Sequence, residues 1–148
     1  MKKINKIKAG FTLMEFLAVL VVVAVLAIIA VPIYDNYVRK ARFQNAVVFA
    51  QSLKVSVSAC ALSLGTLTGC SSGSYGIPTT AISGLTHVTA QSVSDGVITV
   101  TGAVDTADTV TADYVLSPTL ITIGGNQKVL TWVASGSCLA AGYCDAGT

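Results

Sequence analysis

From Phe16 to Ile33 the chain runs for 18 residues without a charged or strongly polar side chain. No other feature of the sequence restricts its fold as much. A helix that is apolar all round has no polar face to turn to water, so it belongs in a protein core or a lipid bilayer. About 20 apolar residues cross a bilayer as a helix. Counted from Phe11, the segment has 23 residues and a single charge, Glu15, which is long enough. The first ten residues hold four of the nine basic side chains, Lys2, Lys3, Lys6 and Lys8, and no acid. Basic flanks stay on the cytoplasmic side of a membrane segment, so the N-terminus is expected there.

Two ordinary membrane roles fit this segment incompletely. A cleaved secretory signal has a basic start, an apolar core and a small-residue site, here Val25-Leu26-Ala27. A plain signal anchor needs only the apolar run. Glu15 suits neither, because a carboxylate inside the membrane costs about 2.5–3.5 kcal/mol on insertion scales and usually marks a function. The apolar run also continues past Ala27 to Ile33, where a cleaved signal gives way to polar sequence.

After Pro32 the character changes. Tyr34, Tyr37, Arg39, Lys40 and Arg42 have the look of a membrane edge. Phe43, Ala46, Ala50, Leu53, Val57, Ala61 and Leu64 then recur at steps of three and four, which is one apolar stripe of a helix. Gly65 is a stop signal. One helix is therefore expected over 11–64, about 80 Å long at 1.5 Å per residue, apolar all round over 11–33 and amphipathic over 34–64.

Beyond Gly65 the chain is rich in Gly, Ser and Thr. Val97–Thr101 alternates between two glycines, as a strand does. Tyr114–Leu116 leads to Pro118, and Lys128–Val133 follows the turn residues Gly124-Gly125-Asn126. Leu120–Ile123 is a fourth strand or part of the third. A sheet built from 65–148 alone is marginal in size, and the helical stripe has no partner of its own. Packing one on the other satisfies both. The expected class is α+β, a long N-terminal helix on a small antiparallel sheet of three to four strands.

Cys60, Cys70, Cys138 and Cys144 allow three pairings. The nearest-neighbour set, Cys60–Cys70 and Cys138–Cys144, needs no long-range topology and is the one expected. Zinc is not expected, since the spacings are not Cys-x-x-Cys and His87 is the only histidine. Disulfides require an oxidising compartment, in keeping with the topology above. Leu67-Thr68-Gly69-Cys70 resembles a lipobox but lies far from the apolar segment. Over all 148 residues only 11% are charged, against roughly 25% in soluble domains. This argues against a disordered chain, a basic nucleic-acid-binding domain and a small soluble enzyme. No catalytic pattern such as Gly-x-Ser-x-Gly or His-Glu-x-x-His occurs. Neither an enzymatic activity nor a cofactor is expected.

Gly10-Phe11-Thr12-Leu13-Met14-Glu15 heading an apolar run, followed by Ala30-Val31-Pro32 and Tyr34 and Tyr37, resembles the N-terminus of type IV pilins, of the type IVa kind. The resemblance covers roughly residues 1–60. Val129–Trp132 before Cys138 and Cys144 is similar to the sheet and late disulfide loop that end such pilins. The first cysteine stands farther from the tryptophan than is usual. Ala24 stands where many members have glycine, so loosening of the helix in a filament would rest on Pro32 and Val21–Val23.

The resemblance implies a pilin fold and a set of roles. Residues 1–10 would be a leader cut after Gly10 by prepilin peptidase, and Phe11 would be the N-methylated first residue. Glu15 and Pro32 would serve assembly. The precursor would sit in the inner membrane, and the inner-membrane pilus machinery would build identical subunits into a surface filament for adhesion, twitching motility or DNA uptake. A host surface or DNA is then a partner of the fibre. Losing residues 1–10 leaves five basic and seven acidic side chains, a net −2, so the basic balance is a topology signal. Two other classes share the N-terminus. One is a type II secretion pseudopilin, for which Asp105, Asp108 and Asp113 are the only calcium candidates. The other is a minor or competence pilin that binds DNA.

Overall fold

The computed structural model describes residues 10–79, 85–124 and 127–146. The lysines of the expected leader, and Gly125 and Asn126 of the expected turn, lie outside the described residues. The element order is α1 (Leu13–Leu64), β1 (Val88–Ser94), β2 (Val97–Ala103), β3 (Thr111–Ile123), β4 (Gln127–Ser135) and α2 (Ser137–Ala140). The chain divides into two units, Met1–Asn36 and Tyr37–Thr148.

The described part of the first unit is the N-terminal portion of α1. Its valines and isoleucines are mediocre helix formers in water. In lipid the backbone must bond to itself, and helix is the one single-segment way to do so. An 18-residue window of α1 has mean hydropathy 3.2 and none of it is buried. α1 begins at Leu13 rather than at the expected Phe11 because Thr12 caps it. The Thr12 carbonyl accepts from the Glu15 and Phe16 amides at 3.1 and 3.2 Å, and the Thr12 hydroxyl also accepts from Glu15 N–H at 3.2 Å. α1 runs through Pro32 without a break, so the proline removes one backbone donor without melting the helix.

The second unit is a helix on a sheet. The strands form an antiparallel meander in the order β1-β2-β3-β4. Phe43, Ala46, Ala50, Leu53, Val57 and Ala61 are buried, and Phe49 and Cys60 widen the stripe. They meet Val93, Ile98, Val100, Tyr114, Leu116 and Ala134 from alternate positions of the four strands in one core cluster. Leu64 departs from the expected stripe. It is exposed because the helix ends there and its side chain lies over Gly69 of the next loop. Gly65 takes φ +69°, the left-handed turn that ends many helices. The Gly65 carbonyl accepts from the Lys128 ammonium, which places a cation at the helix C-terminus, where it is favoured.

The sheet differs from the sequence reading in two places. β1, Val-Thr-Ala-Gln-Ser-Val-Ser, was not foreseen, because only Val93 of this edge strand is buried. Leu120–Ile123 belongs to one long β3 that passes through Pro118. Leu116 is the last β3 residue with a β2 partner, opposite Ile98, so Pro118 falls on an edge, where its missing N–H is tolerated.

Both disulfides are short-range. Cys60–Cys70 fastens the last turn of α1 to the following loop, with a Cα separation of 5.9 Å. Cys138–Cys144 closes the segment that contains α2. There, Tyr143 lies with its ring centroid 6.2 Å from that of Phe43, and Lys40 Nζ approaches Asp145 Oδ2 at 3.4 Å. That ion pair is exposed and contributes little; the ring contact and the buried cysteines hold the segment.

Candidate assembly site

Every described residue from Gly10 to Tyr37 is exposed. For a polar helix this would be ordinary. Here it leaves Phe11, Leu13, Met14, Phe16, Leu17 and the valines and isoleucines beyond them uncovered, far more than the single scattered apolar residues of a normal surface.

Glu15 is the one charge between Gly10 and Ile33 of this surface. Thr12 and Glu15 have the Thr-x-x-Glu spacing of a capping box, a local role that sequence reading had not assigned to Glu15. A carboxylate in the first turn is favoured by the helix dipole. Even so, it has no ion-pair partner among the described residues. Glu15, Ala18, Val19, Val22 and Val23 line one shallow groove, which puts the carboxylate at the end of an apolar helix face. Gly10 and Phe11 precede the helix and are exposed. A Cβ added at Gly10 would meet nothing within 4 Å, so no packing among the described residues requires glycine there.

The other singled-out residues are dispersed. Arg42 Nη1 donates to the Val104 carbonyl at 3.4 Å. His87, the only histidine of the sequence, stands 3.1 Å from Asp108. Asp105 accepts from the Thr109 hydroxyl and from Val110 N–H, and these bonds hold its carboxyl below the ordinary carboxylate value. Asp113 accepts from Thr101 on the sheet. The three aspartates thus serve three separate local bonds. No group of three His, Cys, Asp or Glu side chains that could hold a metal occurs among the described residues.

An exposed apolar helix whose continuation packs on a four-stranded antiparallel meander defines the pilin fold class. No family model matches the chain. It is 39% identical over 93 residues to prepilin peptidase-dependent protein D of Escherichia coli, covering 63% of this chain and 62% of that one. It is 32% identical over 95 residues to a fimbrial protein of Neisseria meningitidis serogroup B, covering 64% and 55%. It is 35% identical over 73 residues to the type IV pilus subunit protein TapA of Aeromonas hydrophila, covering 49% and 51%. The matches therefore span about half to three fifths of these relatives' lengths. By this kinship and by its fold the chain is similar to type IV pilins.

Proposed function

We propose that the chain is a prepilin whose mature form, 11–148, is the major structural subunit of a type IV pilus. The observation that carries this reading is the bare apolar helix whose first turn holds a carboxylate with no ion-pair partner among the described residues. Lipid can cover that surface before assembly, and the same helix of other copies can cover it afterwards.

Cleavage between Gly10 and Phe11 by prepilin peptidase exposes a cationic amine about four residues from Glu15. The freedom of Gly10 from any packing demand supports a peptidase requirement at that position. In the fibre, Glu15 pairs with the Phe11 amine of a neighbouring subunit. A carboxylate left unpaired at membrane depth costs about 2.5–3.5 kcal/mol, and an opposite charge recovers much of that. A correctly advanced subunit neutralises its carboxylate and a misplaced one does not, so the pair sets register during extraction from the inner membrane by the assembly machinery. Pro32 lacks the donor that would tie it to the preceding turn, which is where the rod can adjust in a crowded bundle. The low-charge sheet, held by two disulfides, faces outward on the cell surface, where adhesion, motility and DNA uptake are properties of the whole fibre.

The test is Glu15→Leu. Processing should be normal and surface filament should fall sharply. Normal processing with filaments at wild-type level would overturn the register role. The pseudopilin reading has less support, because its three calcium candidates do not come together.

A further inference from the structure

The two edges of the sheet are treated differently. β1 is closed off. Ser72 N–H donates to the Val93 carbonyl and the Ser72 hydroxyl accepts from Val93 N–H, both at 2.9 Å. Gln91 donates to the Pro78 carbonyl at 2.9 Å, and the register shifts between Val88 and Ala90. These are the loop cover and bulge that protect an edge strand.

β4 has none of this. It pairs with β3 without a shift from Gln127 to Ser135, and no backbone bond from any other described residue reaches it. It has no proline, and its one charge, Lys128, is drawn to the Gly65 carbonyl. Its outward face is Gln127, Val129, Thr131, Val133 and Ser135, with Val133 61% exposed and Val129 43%. Ile121 and Ile123 of β3 extend the same exposed face.

We infer that the β4 edge is a self-association site, at which two copies of this chain pair antiparallel and edge to edge. An open edge takes another strand. The chain's other edge is covered, so head-to-tail pairing of β4 with β1 is blocked. What remains within one kind of chain is β4 with β4, an isologous contact in which each residue meets itself or a close neighbour. Like charges opposite each other destabilise such a pair, and this outward face carries none. Neighbours within one helical filament are related by a screw, which contains no such two-fold. On the filament reading the paired copies therefore belong to adjacent fibres, but the pairing itself does not depend on that reading.

The chain has no free cysteine among the described residues, and all four of its cysteines are in disulfides, so an added thiol reports alone. Antiparallel partners have Cα atoms about 4.5–5.5 Å apart, within the roughly 4.4–6.8 Å that a disulfide spans. Val129→Cys, Thr131→Cys and Val133→Cys, with the doubles at 129/131 and 131/133, cover each register centred between 129 and 133. The full chain in mild detergent is oxidised gently and dimers are counted. Thr89→Cys on the covered β1 edge is the control for chance encounters and for association through α1. At least one β4 variant should dimerise roughly ten-fold faster than Thr89→Cys, because pairing raises the effective thiol concentration. Adding a lysine at whichever of Val129 and Val133 carries no added cysteine (Val129→Lys or Val133→Lys) should abolish that excess while Trp132 fluorescence stays native. If all β4 variants cross-link no faster than the control, the inference is wrong, including the case in which the edge takes a strand from an unrelated protein. An excess that survives the added lysine in a folded chain would equally overturn it.

Discussion

Gly102 of β2 lies beneath α1, and replacing it tests how closely helix and sheet approach. A Cβ at Gly102 would stand 2.6 Å from the Ala46 Cβ and 2.9 Å from two ring carbons of Phe43. Carbon pairs are at their optimum near 3.5–4.0 Å, so all three contacts are repulsive. Phe43 and Ala46 are fully buried, which leaves them little room to yield in a close-packed interior. The backbone at Gly102 does not need a positive φ, so the cost is purely steric. Overpacking costs about 1–3 kcal/mol, and the stiffer unfolded chain returns about 0.4–1 kcal/mol. Gly102→Ala should therefore destabilise the second unit by about 1–2 kcal/mol, and Gly102→Val by more. Ala46→Gly removes the shortest contact at a helix-propensity cost near 1 kcal/mol, so the double variant should be more stable than the sum of the singles by about 0.5–3 kcal/mol, the range for touching residues. Urea unfolding of the full chain in detergent reports this through Trp132, the one tryptophan, whose ring lies 5.3 Å from Lys54 Nζ of α1. A Gly102→Ala variant as stable as wild type, or strict additivity in the double, would refute the close approach.

Replacing Cys138 and Cys144 by serine should cost about 2–3 kcal/mol on the chain-entropy model, read as a lower urea midpoint; an unchanged midpoint would contradict the packing of that loop on Phe43. Asp105 titrates below the ordinary carboxylate value because Thr109 and Val110 bond its charged form. Its contribution is present above the unfolded value of 3.8 and is lost as pH falls through the folded one. Protection of the Val110 amide from hydrogen exchange should collapse in that acid range, and in Asp105→Ala it should be weak at every pH. Gln51 donates to the Tyr114 hydroxyl at 3.3 Å, so Tyr114→Phe should cost about 1 kcal/mol. Burial raises the Tyr114 phenol above 10. The unfolded chain then ionises first as pH rises past 10, so stability declines there in wild type, and the Phe variant should lack this part of the decline.

How far the fold could be read from sequence depends on where the side chains carry a period. The α1 stripe from Phe43 to Ala61 was legible because burial on one helix face forces apolar residues at steps of three and four. β2 was legible for the same reason at period two, and β4 because the turn residues at Gly124-Gly125-Asn126 precede it. β1 was not, since an edge strand with a single buried residue has almost no pattern to read. The extent of β3 was hidden by Pro118, which reads as a break until the short reach of β2 makes that position an edge. At the candidate assembly site, the exposed apolar helix follows directly from composition. The Thr12–Glu15 cap is present in the sequence as Thr-x-x-Glu, but a helix expected to start at Phe11 places Thr12 inside the first turn, and only the start at Leu13 makes it the cap. The nearness of His87 to Asp108 was out of reach, because their meeting depends on the 104–110 loop returning to the start of β1.

The most direct test is mass spectrometry of filaments sheared from the cell surface. An abundant chain that begins at N-methylated Phe11 and lacks all four cysteine thiol hydrogens is the expected result. Filaments without this chain, or a surface chain that begins at Met1 or at any residue other than Phe11, would contradict the proposal that residues 11–148 form the fibre.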